Sequence, residues 1–179
     1  MNERPYLGLT PTSVYWLDGI GNDEEPDWHE IHVTLSRIHR FGGRSRFTVL
    51  QHAFATMTLS MMEPPETQRL AFLHDHHEAL VGDMPTPIKR VVGEAYKSVE
   101  RHAEEYVRRW FTLGGHDFVK AVDWRLCLAE AVAENIADFW TPWIMEAGYT
   151  REIHEQTMWA LRVGNDVDRA DVLVASWRM

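Results

Sequence analysis

The chain has little cysteine, little positive charge and no long apolar run, and each shortage narrows what it can be. Cys127 is the single cysteine among 179 residues. An internal disulfide framework is therefore excluded, and a reducing compartment is expected. Lysine and arginine number 18 against 27 aspartates and glutamates, for a net charge of -9. That balance disfavours a broad electrostatic grip on DNA or RNA, so no stable nucleic-acid binding is expected. An anionic substrate needs a local positive site, made from a metal ion and placed Arg or Lys. No stretch is apolar enough to span a bilayer. Met1 to Pro5 lacks the basic-then-apolar order of a signal peptide, so a cytoplasmic protein is expected. Repeats, low-complexity tracts and linkers are also missing. What the chain does have is 45% hydrophobic residues, enough for one domain with a full core.

Those apolar residues recur at helical spacing. Asp27 with Glu30, and Thr48 with Gln51, resemble capping boxes. The first opens a helix expected to run to about Arg40, where Gly42 and Gly43 stop it. The second opens one through about Met62, ended by Pro64 and Pro65. A third is expected from about Glu66 to Val81, terminated by Gly82, Pro85 and Pro87. Val92, Ala95, Val99, Ala103, Tyr106 and Trp110 mark a long amphipathic helix over residues 88–111. Val119, Val122, Leu126, Ala129 and Val132 mark another over 116–139, and shorter helices follow near 153–163 and 169–177. The first 26 residues read as an irregular arm with a short strand at 14–17. The expected architecture is a single all-α domain spanning 1–179, with the arm at 1–26, a metal-binding helical core at 27–139 and C-terminal helices at 140–179.

The densest chemistry lies between His74 and Lys89. His74 and Asp75 are adjacent, Glu78 follows one turn later, and a Gly82-Asp83-Met84-Pro85-Thr86-Pro87 turn leads back to Lys89. On a helix, positions 74, 75 and 78 crowd one face. Imidazole and carboxylate suit Zn, Mn, Fe, Co or Ni. Two ligands hold a metal poorly, so partners are sought on other helices. His52 lies mid-helix in an apolar stretch. Asp123 sits among Val119, Val122 and Leu126, where a buried carboxylate needs a cation. Taken one at a time these residues have plainer readings: His52 as a core histidine, Asp123 paired with Arg125, Glu78 as a solvated carboxylate. Together, His52, His74, Asp75 and Asp123 make a four-residue metal site with room for water and substrate. Glu78 is placed to take a proton from that water.

The pattern resembles the HD-domain phosphohydrolases, named for their His-Asp pair. His52 matches the first His of that family, His74 and Asp75 its doublet, and Asp123 its last Asp. The Gly82–Lys89 turn and Arg40-Phe41-Gly42-Gly43 are similar to the subgroup of bacterial 5'-deoxynucleotidases and short phage HD phosphohydrolases. The match covers about residues 37–130. The resemblance implies a helical HD-domain bundle, one divalent transition metal (Zn, Co or Mn), and Glu78 with Asp83 at the reacting water. It also implies a deoxynucleotide substrate and a homo-oligomer.

Arg37, Arg40, Arg44 and Arg46 fall within ten residues, and guanidinium forks bind phosphate oxygens in pairs. With Lys89 this excess leans toward a nucleoside triphosphate, with an additional Mg on the phosphates. Arg37, Arg40 and Lys89 are the candidate phosphate ligands, and Trp16 the candidate base-stacking residue. The favoured expectation is a dNTP triphosphohydrolase, dATP first as in related phage enzymes, releasing deoxynucleoside and tripolyphosphate. The alternatives are a 5'-deoxynucleotidase acting on dNMPs, a dinuclear HD phosphodiesterase that uses His102 or His116, and a non-catalytic nucleotide-binding module.

Overall fold

The computed structural model describes residues 6–10, 13–162 and 164–178, and the backbone alone for residues 6, 9, 10, 13 and 14. Met1 to Pro5, read above for a signal peptide, and Val163, the expected end of one helix, lie outside them. The fold is all-α, with one small hairpin in front. That hairpin corrects the expected irregular arm. Strand β1 (Tyr6–Thr10) pairs antiparallel with β2 (Ser13–Trp16), setting Tyr6 opposite Trp16 and Leu7 opposite Tyr15. Tyr15 is fully buried, and its ring lies 5.2 Å from that of Tyr106. The Asn22 side chain fixes the exit from the hairpin by bonding the backbone of Trp16 at both its N–H and its carbonyl.

Helix α1 (Trp28–Leu35) starts at the expected Asp27 cap but stops five residues before Arg40. The backbone explains the early end. His39 is extended and bridges Thr48, while Arg40 N–H donates to the Phe47 carbonyl and Val49 N–H to that of Ile38. A turn of ladder thus replaces a turn of helix. The one-turn element α2 (Arg40–Gly43) follows, with Phe41 and Gly42 both left-handed at φ 57° and 64°. Glycine suits position 42 for a second reason: an added Cβ would come within 3.0 Å of Pro85.

The Thr48–Gln51 capping box is present and opens α3 (Val49–Leu59). This helix is apolar nearly all round and sits between two core clusters. Phe54 and Ala53 pack with Leu35, Phe72, Leu73 and Val107; Ala55 packs with Leu126, Ala129 and Ile144. The expected helix over 66–81 is two pieces, α4 (Pro65–Leu73) and α5 (Glu78–Val81). Between them the N–H groups of His76, Glu78, Ala79 and Leu80 each reach back three residues rather than four, a tightened turn. The expected helix over 88–111 also divides, into α6 (Thr86–Val92) and α7 (Glu94–Arg108). Gly93 takes φ 71° at the break, where a side chain would be strained.

Helix α8 (His116–Ala133) stops short of the expected Phe139. A short α9 (Pro142–Glu146), α10 (Arg151–Ala160) and α11 (Val167–Ser176) complete the chain. Helix α10 packs on α3 and α8, and α11 on α1. Among the described residues no helix is long and apolar enough to cross a membrane.

Candidate metal centre

Three helical segments converge on one point. His52 comes from the middle of the buried helix α3, His74 and Asp75 from the tightened turn after α4, and Asp123 from α8. One ligand atom from each lies within 4.8 Å of all the others. His74 donates through Nδ1 to the Ala71 carbonyl at 2.8 Å. That bond leaves Nε2 facing Asp75 and Asp123, buried and without a hydrogen-bond partner. A shielded imidazole nitrogen aimed at two carboxylates is what a cation needs. The donor set therefore fits a divalent transition metal.

Electrostatics point the same way. Burial opposes protonation of His74, yet Asp75 and Asp123 together push its pKa up to about 10. His52 is also raised: burial and Arg40 work against it, and Glu130 and Asp123 outweigh them. Asp75 and Asp123 are held below the usual carboxylate range despite burial, by the imidazoles beside them and, for Asp75, by Arg40. Two carboxylates that hold protons on two imidazoles form a site in which a metal ion can take the protons' place.

Two cavities flank the cluster. One, of about 180 Å³, is lined by Arg40, Phe41, Glu78, Asp83 and Lys89, with Asp75 and Asp123 at its floor. Glu78 is buried and its Oε2 has no partner. Burial and the Asp75 charge push this carboxyl well above its usual value. Asp83 accepts the Gly42 N–H at 3.2 Å, so the two sequence motifs meet here. Lys89 pairs with Glu100, whose carboxyl pKa His77 and, against burial, Lys89 hold down to about 2. The other cavity, of about 320 Å³, shares Asp75 and Asp123 and adds His74, Arg108, His116 and Lys120, with Glu104 and Asp117 also on its wall.

The remaining candidates fall elsewhere. Arg37 and Arg44 are exposed, Arg46 pairs with Glu134 at 3.1 Å, and Trp16 in β2 lines neither cavity. His102 lines a separate hollow with Gly19, Tyr106 and Arg109. His116 lines the larger cavity but is not among the converging ligands.

Sequence reasoning missed three contributors. Glu130 is fully buried and bonds both His52 and Arg40. Its signal was present: it lies seven residues beyond Asp123, two turns along the same helical face. Cys127, one turn beyond Asp123, lies 3.1 Å from Arg40 Nη2. Arg108 donates to the His74 carbonyl at 2.6 Å, a contact that nothing in its local sequence signals.

Known proteins are similar to part of this chain. The family described as 5'-deoxynucleotidase YfbR-like matches residues 45–113. That span holds His52, the doublet, Glu78, Asp83 and Lys89, but not Arg40 or Asp123. Uncharacterized protein YfdR of Escherichia coli (strain K12) is 34% identical over 101 residues, covering 55% of this chain and 54% of that one. The chain thus spans about half the length of the curated relative it matches. A His-Asp doublet turned onto a His and an Asp from two other helices is the arrangement for which the HD-domain phosphohydrolases are named, and over residues 45–113 this chain is similar to their YfbR-like members.

Proposed function

We propose that the chain hydrolyses the 5'-phosphate of deoxynucleotides, with deoxynucleoside monophosphates as first substrates. The observation that carries this reading is the convergence of four ligand atoms within 4.8 Å beside a buried, unpartnered Glu78 carboxyl. His52, His74, Asp75 and Asp123 hold a divalent Zn, Co or Mn. When bound, the metal stabilises charge on a phosphoryl oxygen and makes water more acidic. Arg40 and Lys89 bind the phosphate oxygens, with both cations lining the smaller cavity. Glu78 takes the proton of the attacking water, and Asp83 steadies the loop opposite through Gly42. A P–O bond forms to water, the bond to the 5'-oxygen breaks, and a proton passes to the leaving alkoxide.

A second reading has one observation in its favour. Arg108 and Lys120 line a further cavity on the same metal cluster, which gives the β- and γ-phosphates of a dNTP, with an added Mg, somewhere to lie. Under that reading dATP is the first triphosphate to test. One incubation separates the two: each dNMP and dNTP with Co²⁺, Mn²⁺ or Zn²⁺, followed by product analysis. Phosphate from monophosphates supports the first reading. Tripolyphosphate from triphosphates, lost in Arg108→Ala, supports the second. No product from either, in a chain shown to bind metal, overturns both. Homo-oligomerisation belongs to the proposal and is supported by exposed Trp124, Trp140, Trp143 and Trp159; light scattering on the eluted protein tests it.

A further inference from the structure

One carboxylate behind the metal cluster serves two masters. Glu130 lies on α8 and is fully buried, an expensive place for a charge unless it is closely partnered. Its Oε1 stands 2.8 Å from His52 Nδ1. Its Oε2 accepts from Arg40 Nε at 3.3 Å. From there two arms reach forward. His52 Nε2 faces Asp123 at 3.0 Å and Asp75 at 3.8 Å. Arg40 Nη1 donates to Asp75 Oδ2 at 2.9 Å. The contacts close a ring from Glu130 through His52, Asp75 and Arg40 back to Glu130.

We infer that Glu130 is a positioning residue that couples metal retention to anion binding, by fixing the ring of His52 with one oxygen and the fork of Arg40 with the other. The physical reason lies in the imidazole. A carboxylate on Nδ1 keeps the N–H on that side and turns the Nε2 lone pair toward the metal site, while raising its basicity. The same carboxylate anchors Arg40 at Nε, while its Nη1 bonds Asp75 and its Nη2 lies 3.1 Å from Cys127 Sγ, all in the wall of the cavity that also holds Lys89. Helix α8 contributes both Asp123 and Glu130, so its placement sets the metal ligand and the support together.

This inference rests on the hydrolase reading, but its main readout does not depend on which substrate is cleaved. The experiment compares the full-length wild type with Glu130→Gln and Glu130→Ala. Co²⁺ and Zn²⁺ affinity is measured by chelator competition, KM and kcat are measured on a dNMP, and the His52 ring N–H is followed by ¹⁵N NMR in the Zn-loaded chain. Glutamine can still accept from His52, but it offers Arg40 an amide in place of a charge. Glu130→Gln is expected to hold metal within a few-fold of wild type, to shift the His52 N–H resonance, and to raise KM about 10-fold with a smaller change in kcat. Glu130→Ala is expected to lose roughly 10- to 100-fold in metal affinity. Should the alanine variant fail to fold, the glutamine variant carries the test alone. A folded Glu130→Gln with wild-type KM and an unmoved His52 resonance overturns the inference while leaving the hydrolase reading intact. A wild-type chain that binds no metal overturns both.

Discussion

Two groups of histidine and aspartate stand out among the described residues, and of these one is arranged to hold a metal. The first is His52, His74, Asp75 and Asp123, with Glu130 behind. The second joins α1 to α11: His29 Nδ1 and His32 Nδ1 reach the two oxygens of Asp171 at 2.7 and 2.5 Å, and the edge of His76 meets the His32 ring. The residue types are the same. The difference is the ratio of carboxylate to imidazole and the direction of the free lone pairs. In the first group three carboxylates face two imidazoles, and both imidazoles are raised. In the second a single carboxylate is used up in bridging two histidines. Burial then holds His32 below its usual value and His76 well below. The rings of His32 and His76 pack against Phe72, and His32 Nε2 and both nitrogens of His76 are buried without a hydrogen-bond partner. A metal site is thus a matter of convergence and charge balance; a strap between helices can use the same letters.

The sharpest way to break that contrast is to remove one aspartate from each group. Asp75→Ala should lower hydrolysis by roughly 10³-fold, equivalent to about 4 kcal/mol, and empty the site of metal by elemental analysis. Asp171→Ala should leave metal content at the wild-type level. Loss of metal in both variants would erase the distinction. Within the first group, Glu78→Gln should cost about 10²-fold in kcat with the metal retained, because it removes a base without removing a ligand. An unchanged kcat would return Glu78 to the status of a buried structural carboxyl.

The second group should answer in stability. Asp171→Ala deletes the acceptor on α11 that ties it to two histidines of α1 and should cost about 1–3 kcal/mol in chemical unfolding, with kcat unaffected. The smallest effect expected is a pH slope. His32 is held below the ordinary imidazole value of 6.5, chiefly by burial. Below that pH the unfolded chain binds a proton that the folded chain refuses. The stability present above pH 6.5 is therefore lost as the pH falls through it. His32→Gln keeps a donor for Asp171 and cannot titrate, so its acid-side loss should be shallower, by up to roughly 1.4 kcal/mol per pH unit. His29, raised by Asp171, works in the opposite direction but is present in both proteins, so the difference isolates His32. Parallel slopes for the two chains would show that His32 does not titrate on unfolding.

How much of this was legible beforehand varies by element. The capping signals at Asp27 and Thr48 placed two helix starts correctly, because a cap is local chemistry between a side chain and an N–H three residues on. Helix ends were read less well. The end of α1 depended on a bridge to Thr48, and the break between α4 and α5 on a turn that tightens where the doublet must face α3 and α8. Neither cause is local in sequence. The arginine run shows the same limit. Arg37, Arg40, Arg44 and Arg46 look alike along the chain, yet Arg40 alone is buried among carboxylates, because the ladder at His39 turns it inward.

The sequence by itself determined the helical class, the starts of the capped helices, and the residue types at the metal cluster, since periodicity, caps and adjacent His-Asp letters are short-range facts. The sequence also picked out His52 and His74 from ten histidines, but only the tertiary structure brought their ligand atoms to within 4.8 Å of those of Asp75 and Asp123. The tertiary structure also decided that Glu130 braces His52 and Arg40, that Arg108 and Lys120 open a second cavity, and that Trp16 stands apart. Those outcomes depend on how α3, α4 and α8 pack, and no spacing along one helix encodes the angle at which another crosses it.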